Sequence, residues 1–195
     1  PMGNIGAMIS GFYKKHPGIT ISMGYANSPQ FANRALDMEL VSSVVKIDDE
    51  NHIPLGKERI LVVLPPNHDL ADTQDIKLAD LKDEPFLFSN PGEFRAIGEA
   101  MCQEAGFSPY VAMEMQLYGE IMSLVENGLG CCFAGEFTWL SGMENTYRFA
   151  AKQPSDVERH RYLYVRIPEH RAPTESTWTF INYLQDYADS LKRND

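Results

Sequence analysis

The sequence predicts an α/β fold, and three observations carry that prediction. Strand-like and helix-like stretches alternate along most of the chain, the pattern of sheets covered by helices. Ile60 to Leu64 is an apolar run without alternation, which fits a strand buried on both faces of a parallel or mixed sheet. Pro65-Pro66 stops that run, because neither proline donates to a sheet ladder. So short a run also fits a buried helix, but its β-branched residues and abrupt stop favour the strand. Taken alone, it reads either as an interior strand of one sheet or as a crossing between two lobes.

The elements follow in order. Ile5, Met8, Ile9 and Phe12 recur at helical spacing, Lys14, Lys15 and His16 suit a helix C-terminus, and Pro17-Gly18 ends it. Ile19, Ile21 and Met23 alternate with Thr20 and Ser22 and predict a strand. Ser28-Pro29 resembles a cap and first helical residue, with Phe31 and Leu36 on the apolar face. Met38 to Val45 is a second strand, and Lys46 to Lys57 a polar connection into the central strand. Beyond Pro66, Leu78 to Leu81 predicts one helical turn and Pro85 to Ser89 a short buried strand. Asn90-Pro91-Gly92-Glu93 is a helix start: a capping residue, proline at the first position, an acid soon after. Phe94, Ile97, Met101 and Ala105 mark that helix's buried face. Tyr110 to Met115 is strand-like, Tyr118 to Asn127 helical, Cys131 to Ala134 a short strand, and Phe137 to Leu140 a helical turn. Tyr147 to Ala150 and Tyr162 to Ile167 predict strands around a polar loop, Lys152 to Arg159. Thr174 opens the longest helix.

Composition narrows the function. The 195 residues suit one large domain or two lobes, and no apolar run approaches a membrane span. The net charge is −10, with no basic cluster larger than Lys14-Lys15, so direct binding to DNA or an anionic membrane is not expected. Three cysteines, two of them adjacent, make no disulfide framework and suggest a reducing, cytoplasmic compartment. No Cys-x-x-Cys or His-rich spacing points to a metal, and no cofactor is implied.

Six short motifs in register resemble one family. FYKKHPGITIS, ERILVVLPPNHDLA, IKLADLKDEPFLFS, EAGFSPYVAMEM, LVENGLGCCFAG and RYLYVRI, with the amphipathic helix after the last, resemble the effector-binding domain of a bacterial LysR-type transcriptional regulator. The resemblance covers about residues 5 to 191. It implies two Rossmann-like lobes joined by two crossing strands, the type II periplasmic-binding-protein fold, with a ligand cleft between the lobes. Lobe I would be residues 1–65 with 168–195, and lobe II residues 66–167. The family's winged helix-turn-helix is not among these residues, nor is the strand expected before the first helix. ALDMELVSSV departs from the family's Gly-x-Leu-Asp, with Asp37 early and Val41 at the usual acid's place, which leaves that strand's register open.

Each chemically suggestive residue also has a plainer reading. Cys102, Cys131 and Cys132 sit in apolar stretches without a neighbouring base, so packing is the expectation. His16, His52, His68, His160 and His170 read as solvated loop residues, and Glu136 as a lone acid rather than a general base. Gly128-Leu129-Gly130 follows a helix, so it is a cap and not a phosphate loop. The ligand-binding candidates are polar residues at strand ends: Asn27 and Ser28, Ser89 and Asn90, Gln116 and Tyr118, and Phe133, Ala134 and Gly135. For Ser28 and Asn90 the competing reading is simple capping, a role compatible with anion binding. The expected function is effector sensing in the interlobe cleft by a homodimer or higher homo-oligomer, with DNA reached only through the absent domain. A transporter's solute-binding protein is the alternative, and an enzyme on the same scaffold the third reading.

Overall fold

The computed structural model describes residues 5–24, 36–89, 93–169 and 172–192. It is α/β, with two compact units: Arg59–His160, and Ile5–Glu58 with Arg161–Asp195.

The Arg59–His160 unit is built on the central strand. β2 spans His52–Leu64, so it begins within the stretch expected to be a polar connection. Polar residues of 52–57 are accommodated because this half of the strand is only partly buried. From Ile60 both faces are dry. Ile60, Val62 and Leu64 enter one core with Phe86, Phe88, Ile97 and Met101. Leu61 and Val63 enter another with Leu87, Ile121, Met122 and Val125. The two cores lie under α2 (Glu93–Glu104) and α3 (Tyr118–Glu126) respectively.

β2 pairs antiparallel with β5 (Cys132–Gly135), Ile60 facing Gly135 and Val62 facing Phe133. It also pairs antiparallel with β6 (Ala150–Lys152). The strand expected at Tyr147 to Ala150 therefore lies later, because the ladder to Val62–Leu64 selects residues 150–152. β3 (Pro85–Ser89) pairs in parallel with β4 (Tyr110–Met115). Two bonds join β3 to the start of β5: Leu87 N–H to the Cys131 carbonyl and Cys131 N–H to the Pro85 carbonyl, each 2.8 Å.

Gly128 and Gly130 have different jobs. Gly128, at φ +82°, is the α3 cap in the left-handed region. At Gly130 an added Cβ would run into the Pro85 backbone carbonyl, so glycine there permits β5 to meet β3. Asp156 reaches back to accept from the N–H groups of Leu78 (2.7 Å) and Ala79 (3.2 Å), fixing the short turn Leu78–Leu81.

In the other unit, α1 (Ile5–Lys15) packs on α4 (Glu175–Lys192), with Phe12 against Phe180 and Tyr183 at 4.7 and 5.3 Å. The Tyr183 hydroxyl donates to the Met8 carbonyl at 2.8 Å. Thr174 caps α4 through the Thr177 N–H. β1 (Glu39–Ser43) pairs antiparallel with β7 (His160–Arg166), Val41 facing Tyr164, which fixes the register the sequence left open. Residues 19–24 form no strand despite their alternation. Alternation supplies a face, but a strand also needs a ladder, and residues 19–24 have no ladder partner among the described residues. The helix expected from Ser28 to Phe31 lies outside the described residues, and Leu36 is non-helical. Glu58 and Arg161 form a buried ion pair, 1% and 5% exposed, with Arg161 Nε donating to Glu58 at 2.5 Å.

Gly130→Ala should lower stability by about 1–3 kcal/mol, the usual cost of forcing atoms into a filled site. Gly6→Ala, on α1 where nothing lies within 4 Å, should raise it by up to about 1 kcal/mol. Urea unfolding followed by far-UV circular dichroism reads both.

Candidate functional site

β3, β4 and β5 run in the same direction, so their C-terminal ends share one edge of the sheet. α2 and α3 both start there, after β3 and β4. Open α/β sheets bind ligands at such edges, where helix starts present unpaired N–H groups.

Ser89 ends β3 beside Met115 and is 8% exposed. Alternation along β3 sends Phe86 and Phe88 into the α2 core and Leu87 into the α3 core. Ser89 therefore points to the α3 face. α3 begins without a side-chain cap, since Leu117 occupies the capping position.

The other sequence candidates fall in several places. Gln116 is exposed just beyond β4. Tyr118 is buried at the first position of α3, its hydroxyl 3.7 Å from Cys132 Sγ and its ring 4.0 Å from that of Trp139. The Phe133 ring stacks with Phe86 and Phe88 in the α2 core, away from the edge. Ala134 lies in the α3 core, and Gly135 ends β5 at the edge itself. Asn27, Ser28 and Asn90 lie outside the described residues.

Sequence reasoning passed over Arg59 at this edge and read Glu136 only as a lone acid. Arg59 stands one residue before Ile60, which faces Gly135, and Glu136 follows Gly135. Arg59 Nε donates to Glu136 Oε2 at 3.0 Å, and Nη2 to Oε1. The Arg59 side chain is 48% exposed and that of Glu136 is 16%. Glu136 opens a five-residue π-turn, Glu136–Leu140, whose Trp139 also meets Phe94 edge-on at 5.3 Å. The available signal was opposite charge flanking two strands that pair, but it needs the pairing to be known.

The described histidines are less solvated than expected. His68 is only 11% exposed: Nδ1 accepts from the Leu70 N–H at 3.1 Å and Nε2 lies 3.5 Å from Glu84. His52 opens β2 with Nδ1 2.7 Å from Asp49, a bond that holds the Asp49 carboxyl below its usual range. The three thiols are buried and free. Burial pushes Cys102 and Cys132 up to about 12, and Cys131 higher still. Among the described residues no cluster suits a metal ion, and no helix is long and apolar enough to cross a membrane.

The architecture is of the type II periplasmic-binding-protein kind. The chain belongs to the family described as the LysR substrate binding domain, which it matches over residues 4–189. It is a ligand-sensing regulatory domain, not a transporter's solute-binding protein and not an enzyme. It is 29% identical over 164 residues to the transcriptional dual regulator GltC of Bacillus subtilis, covering 83% of this chain and 54% of that protein. The chain spans about half the length of the curated relatives it matches. The regulatory domain of CcmR from Synechocystis PCC6803, solved with 2-PG, aligns with a TM-score of 0.75 at 20% identity, over 96% of this chain and 92% of that one. The effector-binding domain of QuiR, solved with shikimate, aligns with a TM-score of 0.72 at 20% identity, over 96% and 91%.

The thiols generate a direct expectation. The native chain should react negligibly with a thiol reagent at pH 8, because the thiolate is the reactive form and burial disfavours it. Three equivalents should react after denaturation, read by absorbance.

Proposed function

We propose that this domain senses a small organic anion at the strand edge formed by β3, β4 and β5, and passes that state to a DNA-binding part of a longer, cytoplasmic transcriptional regulator. One observation carries the choice of site: Ser89, 8% exposed, ends β3 where α3 begins without a side-chain cap. A serine hydroxyl at a strand end can donate to an effector oxygen, which makes Ser89 a natural anchor. The starts of α2 and α3 add partial positive charge, which favours an anion over a cation. The solved relatives with 2-PG and shikimate support this class of ligand. Charge supports the division of labour: a chain at −10 attracts no phosphate backbone by itself.

A thermal-shift screen of organic acids is the first step, since a ligand of the native state raises apparent stability by mass action. Titrated with the acid so found, Ser89→Ala should bind about fivefold more weakly, the equivalent of one hydrogen bond of ~1 kcal/mol. Ser89→Leu should fold normally and not bind. Unchanged affinity in a well-folded Ser89→Leu protein places the effector elsewhere.

We further propose that the working form is a homodimer. Light scattering at micromolar concentration should give about twice the chain mass of 22.0 kDa. A monomer at every concentration argues against it.

A further inference from the structure

We infer that Arg59 is the charge-recognising side chain of this edge, and that Glu136 is an internal counter-ion which the anion replaces. The inference rests on the proposed sensing site and adds how that site reads charge.

Arg59 is placed by the backbone. Ile60 faces Gly135 in the β2–β5 ladder, so Arg59 emerges at the end of β5, beside Glu136. Alternation along β2 gives Arg59 the parity of Leu61 and Val63, the α3 face. Ser89 shares that parity on β3, one strand beyond β5. Neighbouring strands lie about 5 Å apart. Arg59 and Ser89 thus stand two strand spacings apart, ~10 Å, a span that a small ligand and the long Arg59 side chain can bridge together.

The pair has the character of a resting state. Glu136 holds Nε and Nη2, the side-on fork that any carboxylate would choose. The Arg59 side chain is half exposed while that of Glu136 is 16% exposed, so the guanidinium is the partner that solvent and a ligand reach. Exchanging one carboxylate for another keeps the guanidinium satisfied. The released carboxylate belongs to a π-turn, a rare conformation frequent at functional sites. Trp139 rides on the same turn, against Tyr118 and Phe94. Movement of Glu136 is thus transmitted to the aromatic packing at the starts of α2 and α3.

The exchange makes an unusual sign prediction. Removing a negative charge beside the anion strengthens binding if Glu136 competes, and weakens it if Glu136 only orients Arg59. The probes are sodium acetate and, as a neutral match, acetamide, with sodium chloride fixing ionic strength. The readouts are the Arg59 Nε–Hε NMR signal and Trp139 emission in a Trp178→Phe background. Acetate should shift both saturably at millimolar concentration, and acetamide neither. Glu136→Gln should bind acetate at least threefold more tightly. Arg59→Gln should abolish the response, and Arg59→Lys, which keeps charge but loses the fork, should retain a weakened one. Unchanged or weaker acetate binding by Glu136→Gln overturns the inference, as does the absence of a saturable shift in the parent chain. An acetate response at the Ser89 amide that survives Arg59→Gln also overturns it, while leaving the sensing site itself standing.

Discussion

The structure depends on one strand buried on both sides. Residues 60–64 alternate between two separate cores, so a shift of one residue would exchange the two sets of side chains. Each buried aliphatic side chain contributes roughly 1.5–3 kcal/mol. Ladders on both edges, to β5 and β6, satisfy the backbone polar groups that no water reaches. The same register decides that Arg59 leaves the sheet beside Glu136. The chemistry of the edge is thereby set by core packing rather than by the edge itself.

This dependence explains what was legible in the sequence. The apolar run at 60–64 announces its burial locally, and so do the helix faces at Phe94, Ile97 and Met101. Ser89 is readable because a strand end and a helix start are both local features. Arg59 and Glu136 are not, because 77 residues separate them and only the β2–β5 register joins them. Gly130 looks like half of a helix cap until β3 is known to pass it. Ile19–Met23 shows the converse limit: its alternation is real, yet side-chain pattern without a ladder does not make a strand. Residues 52–57 read as a polar connection yet are strand, with Leu55 buried between partly exposed neighbours.

The Glu58–Arg161 pair belongs to the same logic of register. Burying two charges is expensive, and a well-packed apolar pair would serve stability as well or better. What ions offer is discrimination. Arg161 Nη1 also lies 3.3 Å from the Ser42 hydroxyl, so β1, β7 and β2 meet at one polar layer. A slip of β7 against either neighbour would strand a buried charge, costing several kcal/mol. Apolar residues on these strands tolerate a slip more readily. The pair therefore favours one alignment of three strands over its neighbours, independently of how much it adds to stability.

Electrostatics then sets a condition on any anion at the β3–β5 edge. The chain carries −10, a field that opposes anions at long range. At physiological ionic strength that field is screened beyond about 8 Å. Within that distance the local groups decide. Two unit charges 4 Å apart interact by about 4 kcal/mol at an effective dielectric of 20, whereas a distant surface carboxylate contributes a small fraction of that. A single guanidinium at contact distance can outweigh distant charge, against the acids Glu93 and Glu120 in the first turns of α2 and α3. It does so only to the extent that Glu136 does not already neutralise the guanidinium. An acidic domain can select an anion, but its selectivity must come from a few groups at contact distance, and the pairing of Arg59 decides how much of that charge a ligand meets.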